Sequence, residues 1–311
     1  MNDVCYQTIT HEEEGQRLDN YLIRVLKGVP KSRIYRMIRG GEVRINKKRA
    51  QASSRLLQGD LIRIPPVRLS PPADVMQVSA SLTECLQARI IYEDAGLLVV
   101  NKPAGIAVHG GSGVSLGMIE ALRQMRPDIA YLELVHRLDK ETSGCLVLAK
   151  KRSVLRTIQA ALTAREVTKI YWTLLTDRWQ GLDTCVVNAP LEKNILHSGE
   201  RMVRVHQAGK KSETRFCLLE NYKNTCLVEA VPKTGRTHQI RVHAAHLLHP
   251  ILGDEKYGKQ NDLQHHLQIP TRLYLHARSI RFNLNGITQE FQADLDDKFS
   301  QALDKLREFK E

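Results

Sequence analysis

A chain of 311 residues with 46 Lys+Arg against 34 Asp+Glu carries a formal charge of +12 and exceeds one ordinary domain of about 100–200 residues. That balance suits a polyanion better than an acidic metabolite, so nucleic acid leads as the partner. Six cysteines without a CxxC pair, and no signal peptide or apolar run of about 18 residues, exclude a disulfide-stapled or membrane-spanning design; a reduced, soluble, cytoplasmic protein is expected.

Residues 1–14 end in three acids (Glu12, Glu13, Glu14) and carry no assignment. After them Leu18, Leu22, Val25 and Leu26 recur at helical spacing, Pro30 breaks the run, and Ile34, Met37 and Ile38 mark a second helix that Gly40-Gly41 ends. EVRINKKRA and SSRLLQGDLIRI read as strands around a turn at Gln58-Gly59-Asp60. Between Gly15 and Pro65, 13 Lys+Arg stand against three acids (Asp19, Glu42, Asp60), a local +10. Lys31, Arg33, Arg36, Arg39, Lys47, Lys48 and Arg49 fall on the second helix and the following turn, either as one face for phosphates or as an ordinary solvated face. Pro65, Pro66, Pro71 and Pro72 then predict an extended linker over residues 66–88.

Past the linker, Arg89–Tyr92 and Leu97–Asn101 read as a hairpin. Helices are predicted at Leu116–Met125, Val154–Ala164 and Leu295–Phe309. Strands are predicted at Lys169–Thr176, Arg201–His206, Ser212–Leu219, Cys226–Val231 and Arg272–Phe282. Strands dominate with helices inserted, so the expected class is α+β. A small basic module and a Pro-rich linker lead into residues 89–311, a mixed, largely antiparallel sheet flanked by helices.

In LVHRLDKETSGCLVLAK, Leu134–Lys150, a charged hinge joins two apolar runs. Asp139 sits there among His136, Arg137 and Lys140, with cations in easy reach, and an ionised carboxylate can attack or take a proton. By local pattern alone, Asp139, Thr142, Ser143 and Gly144 are also ordinary turn chemistry. KTGRTHQIRVH, Lys233–His243, leads from a Thr-Gly turn into a helix with Arg236 and Arg241, and an arginine can fork onto a carboxylate. Lys169-Ile170-Tyr171 puts a tyrosine on a strand, where core packing is its usual role.

HRLDKETSG followed by a hydrophobic strand resembles the signature of the RluA-type pseudouridine synthases. GQRLDNYL, KSRIYRMIRGGEVRIN and GDLIRI, over nearly all of residues 15–65, resemble the S4 RNA-binding module, and the likeness runs in order over about residues 15–290. It implies an enzyme that breaks the uridine N1–C1′ bond, rotates the base and rejoins it through C5, without cofactor or metal. By the same resemblance Asp139 is the catalytic aspartate, Tyr171 stacks on the uracil and assists proton removal at C5, and Arg241 holds Asp139 aimed. Arg137 fills the space a flipped nucleotide vacates, His136 and Arg236 contact RNA, and the loop IAVHGGSGVSLG with His109 lies near the RNA. VPKSRIYRMIRGGEVRINKKR, AVHGGSGVS and KNILHSGERMVRV look closest to members acting on large-subunit (23S) ribosomal RNA, so that RNA is the expected partner and a monomer the expected form. Whether Asp139 adds to C1′, adds to C6 or abstracts a sugar proton stays open. So do a different ribosomal or transfer RNA target and a binding protein without catalysis.

Three patterns point elsewhere and are set aside. Gly110–Gly113 is glycine-rich, but no G-x-x-x-x-G-K-[ST] and no strand-borne G-x-G-x-x-G occurs. Gly113-Val114-Ser115-Leu116-Gly117 matches G-x-S-x-G, yet glycines stand where the strand of a nucleophile elbow must end. His238, His243, His246 and His249 lack H-E-x-x-H, and His243 and His249 lie about 120° apart around a helix, so no metal is expected.

Overall fold

The computed structural model describes every residue except 1–2, 27, 68–76, 111–115, 196–200, 259–262, 267 and 309–311. It divides into two units, Met1–Gln77 and Val78–Glu311.

In the first unit, β1 (Cys5–Thr8), α1 (Leu18–Val25), α2 (Lys31–Arg39), β2 (Arg44–Ile45), β3 (Lys48–Arg49) and β4 (Leu61–Ile64) combine two helices with a sheet of order β1-β4-β2-β3. Ile34, Met37 and Ile38 turn one face of α2 into a core with Leu18, Leu22, Val43 and Ile62. A two-residue reversal at Asn46 and Lys47, with φ of 49° and 66°, joins β2 to β3 and matches the twist of the strands. β1 pairs along all of β4, so part of the unassigned N-terminal stretch is a strand.

The second unit opens with α3 (Ala80–Gln87), β5 (Ile90–Glu93), β6 (Leu97–Lys102), α4 (Met118–Met125), β7 (Glu133–Leu134), β8 (Ser143–Ala149) and α5 (Arg152–Ala164). It continues through β9 (Thr168–Thr176), β10 (Thr184–Asn188), β11 (Leu191–Ile195), β12 (Arg201–Val205), β13 (Glu213–Asn221) and β14 (Thr225–Pro232). Last come α6 (Gln239–His246), α7 (Leu263–His266), β15 (Leu275–Leu284), β16 (Ile287–Gln292) and α8 (Asp297–Glu308).

One long sheet runs β10-β13-β14-β9-β15-β8-β6-β5, with β16 beside β15 and β7 beside β8; β11 and β12 form a ribbon of their own. Its pairings are antiparallel except β15 with β8, so the α+β class with a mixed, largely antiparallel sheet holds. At the parallel junction His276 pairs with Ser143 and Ala277 with Gly144. Gly144 has φ +109°, and a Cβ there would stand 2.3 Å from the Ala277 carbonyl oxygen, so only glycine lets the two strands meet. The hinge carrying Asp139 therefore enters the sheet at its one parallel seam. β8 is buried along its length and packs with Leu98, Val100, Leu122 and Ile158. A second core gathers Phe216, Val228, Leu275 and Ile240 of α6, and a third seats Phe299, Leu303 and Leu306 of α8 on Leu174 and Tyr274.

Some elements differ from expectation. α3 occupies part of the span read as linker, because Ser79 caps it by accepting the Leu82 N–H (3.2 Å) and Leu86 is buried in the core. No strand is predicted where β10, β11 and β16 lie; Asn285-Gly286, with φ of 53° and 84°, closes the β15–β16 hairpin. Part of the Pro-rich linker, the Gly113-x-Ser115 pattern and the middle of KNILHSGERMVRV lie outside the described residues.

Candidate active site

Asp139 lies between β7 and β8, where the Thr142 N–H closes a turn onto its carbonyl (3.1 Å), and it lines a cavity of about 600 Å³. Two buried groups hold the loop. Lys102 ends the apolar strand β6, and its ammonium donates to the carbonyls of Pro103 (2.8 Å), Ile106 (2.7 Å) and Lys140 (2.9 Å). All three protons are used, as a buried ammonium requires, and burial brings its pKa down to about 7 against the pull of Glu141 and Asp139. On the far side of the turn Arg272 pairs with Asp296 and donates to Ser143 Oγ (2.9 Å), leaving the Ser143 proton for His276 Nδ1 (2.9 Å). His276 Nε2 then donates to the Ala293 carbonyl (3.1 Å), which assigns the tautomer, and burial pushes this ring down to about 4.

His238, at the start of α6, has φ 52°, uncommon for a residue with a side chain. Its Nε2 stands 3.8 Å from Asp139 Oδ2, and its Nδ1 is 2.7 Å from the Tyr257 hydroxyl. That hydroxyl also receives the Val203 N–H (3.1 Å), so its own proton goes to Nδ1 and the imidazole faces Asp139 with its Nε2–H. Burial lowers the His238 pKa, with the Asp139 charge opposing, so the ring is neutral here.

Arg241 lines the same cavity, but its fork is not on Asp139. Nε and Nη2 donate to Asp254 at 2.7 and 2.6 Å, both side chains are buried, and the guanidinium sits 5.1 Å over the Tyr257 ring. Asp254 also accepts the backbone N–H groups of Lys256 (3.0 Å) and Tyr257 (3.1 Å). The expected direct pair is thus corrected: a turn beyond α6 supplies the carboxylate, and Arg241 reaches Asp139 through charge alone.

Tyr171 projects from β9 into the cavity, where burial, helped by the Asp139 charge, holds its phenol well above the usual range. His136 lines the cavity too, yet its Nε2 accepts the Val147 N–H (3.2 Å) and burial drops its pKa to about 4, so it offers RNA no charge near neutrality. Arg137 is exposed between this cavity and an adjoining groove of about 1450 Å³ that takes in His109. Arg236, exposed on the cavity lip, donates to the Lys211 carbonyl (3.3 Å). The structure therefore brings Asp139, Tyr171, Arg241, His136, Arg137 and Arg236 to one cavity, together with His238, which sequence reasoning did not single out as a partner of Asp139.

In the first unit Lys31, Arg36, Arg39, Lys47, Lys48 and Arg49 are exposed. Arg33 differs, being forked onto Glu42 at 2.9 and 2.8 Å. Among the described residues no cluster of three or more His, Cys, Asp or Glu is arranged to hold a metal. His243 is instead buried against Thr214 Oγ1 (2.9 Å) and the Ala189 carbonyl (3.0 Å), and His249 stacks on Trp179.

Residues 96–246 match the family model described as RNA pseudouridylate synthase, and residues 16–62 match the S4 domain. Ribosomal large subunit pseudouridine synthase C of Haemophilus influenzae is 52% identical over 97% of this chain and 95% of its own length. Its counterpart in Escherichia coli (strain K12) is 48% identical over 96% and 95%. Among solved structures, human RNA Pseudouridylate Synthase Domain Containing 4 is 28% identical, with a TM-score of 0.61 over 73% of this chain and 96% of that one. Signature, sheet and relatives agree, and the chain belongs to the RNA pseudouridylate synthases, with an S4 domain ahead of the family's own domain.

Proposed function

We propose that this synthase isomerises uridines of large-subunit ribosomal RNA, with Asp139 as the carboxylate that meets the nucleotide. The observation that carries the reading is the cavity. Asp139 is the only carboxylate among its described lining residues, no described side chain closes a hydrogen bond onto it, and it shares the space with a half-buried, neutral Tyr171. The choice of RNA rests on the names of relatives that match over nearly the full length.

In the reaction the N1–C1′ bond breaks, the base turns and C5 bonds to C1′; C5 gives up a proton and N1 regains one, so composition is unchanged. The nucleotide must leave the stack first, which costs a few kcal/mol. Arg137, exposed at the mouth, takes its place in the helix. The Tyr171 ring then lies against the uracil and its neutral hydroxyl assists the proton leaving C5. Arg241, fixed by Asp254, and His238, fixed by Tyr257, keep the charge and orientation around Asp139. Exposed cations of the S4 domain supply phosphate contacts. The same reading has the chain acting as a monomer in the cytoplasm; among the described residues no helix is long and apolar enough to cross a membrane.

The test is carbodiimide labelling of large-subunit ribosomal RNA, read as reverse-transcription stops. Wild type should create stops at defined uridines. Asp139→Asn should create none, a loss of at least about a thousandfold, while binding RNA within a few fold, since affinity comes mainly from phosphates. Turnover by the variant would remove Asp139 from its role; stops absent with wild type would favour the binding-only alternative.

A further inference from the structure

Six cations line the catalytic cavity: Arg137, Arg165, Lys169, Lys233, Arg236 and Arg241. Arg241 is spent on Asp254, Lys233 approaches Glu213 (3.9 Å), Arg236 is tied to a carbonyl, and Arg137 and Arg165 are exposed to water. Lys169 is different. It is partly buried, and among the described residues no carboxylate or hydrogen-bond acceptor partners its ammonium. Its ammonium is partly desolvated and has no fixed partner, so it is free to take an anion that enters the cavity.

Its position says what that is. Lys169 and Tyr171 are two residues apart on β9, so both side chains leave the same face of the strand, with their Cα atoms about 6–7 Å apart. Tyr171 packs against two of the unit's apolar cores. Lys169 Nζ lies toward the mouth, 3.9 Å from where a Cβ on exposed Gly235 would stand. A nucleotide with its base on Tyr171 and its sugar at Asp139 has its backbone at that distance, and its one anionic group is the phosphate. We propose that Lys169 is a substrate-binding residue that receives the phosphodiester adjoining the flipped uridine, anchoring the nucleotide while its base is detached and turned. Burial lowers the Lys169 pKa in the free protein, and a bound phosphate reverses that shift. The bare Gly235 leaves the approach to the ammonium clear.

The proposal rests on the uridine-isomerising reading, and the test separates the two. The probe is the shortest large-subunit ribosomal RNA fragment that wild type converts, made also with a single neutral methylphosphonate on the 5′ or the 3′ side of the converted uridine. Lys169→Met should lower kcat/KM on the natural fragment about ten- to hundredfold, as loss of one charge-assisted contact does, and reduce the salt slope of binding by about 0.7–0.9. Lys169→Arg should restore most of both. On one of the two methylphosphonate RNAs wild type should fall to the level of Lys169→Met, with no further loss in the variant.

If the two losses multiply for both neutral linkages, Lys169 touches neither phosphate and the proposal fails. It fails also if Lys169→Met slows conversion with the salt slope unchanged, which would place the ammonium on a uracil carbonyl. Thermal unfolding of Lys169→Met should match or exceed wild type, because a partly desolvated cation without a fixed partner is removed; a large loss of stability would give Lys169 a structural role instead. No pseudouridine with wild type would be a failure of the underlying reading, visible before any variant is compared.

Discussion

The S4 domain and the cavity around Asp139 are both basic, and they handle charge in opposite ways. On α2 and the β2–β3 turn, Lys31, Arg36, Arg39, Lys47, Lys48 and Arg49 are exposed. In the second unit, Lys102, Arg241 and Arg272 are buried, and each is held by carbonyls or a carboxylate. An exposed cation keeps its water until a phosphate displaces it, so it contributes affinity that salt screens away. A buried cation has lost its water already and is tolerable only with fixed partners, so it contributes geometry that salt scarcely touches. On the proposed function, recognition and chemistry fall to differently built regions, and substitutions should tell them apart.

The largest effect is expected at Arg241–Asp254. Asp254→Ala leaves a buried guanidinium unpaired, which should cost the second unit about 3–5 kcal/mol and drop turnover with it, with little change in the salt dependence of RNA binding. Arg241→Lys should be milder in stability but still damaging, since a flexible point charge cannot make the fork. Urea unfolding and carbodiimide mapping check both. A stable, fully active Asp254→Ala protein would mean that Arg241 finds Asp139 unaided, as the sequence alone suggests.

Next is His276, beneath the hinge. Its native pKa of about 4 lies below its ordinary 6.5, so between those values the unfolded chain binds more protons and acid favours unfolding. Its contribution is complete above pH 6.5 and is lost as pH falls toward 4, about 3 kcal/mol in the limit. Wild type should therefore lose more stability between pH 7 and 4.5 than His276→Gln does. Parallel curves for the two proteins would show that His276 takes up no proton in that range.

These two sites also mark how far the sequence could be read. Local signals carried the elements whose causes are local: the Ile34, Met37 and Ile38 spacing of α2, and the hinge whose residues lead to Asp139. The partners of the site come from far along the chain. Arg241 meets Asp254 thirteen residues on, Ser143 meets His276 at 133, and Lys102 meets the Lys140 carbonyl at 38. No periodicity encodes such meetings. Lys102 left a trace as a lone charge ending the apolar run LLVVNK, and Asn285-Gly286 is a hairpin signal that the expected elements do not use. α3 was hidden because prolines before it suggested a linker, while its cap, Ser79, and its buried Leu86 gave a weaker pattern.

The smallest effect on the protein itself is expected where charge is most abundant. Replacing Lys31, Arg36 and Arg39 together by Gln removes three exposed cations from α2 and leaves Ile34, Met37 and Ile38 in place, so stability should change by no more than about 0.5 kcal/mol per site. Conversion at saturating RNA should be unchanged, because no residue of the cavity is touched. Binding to long ribosomal RNA should weaken, and the slope of log affinity against log salt should fall by about 2, a little under one per phosphate lost. Arg33, already forked onto Glu42, should add less when replaced in the same way. An unchanged slope in the triple variant would make this face an ordinary solvated one and leave phosphate recognition to the second unit. A fall in conversion at saturation would show that the two ways of using charge are not separate after all.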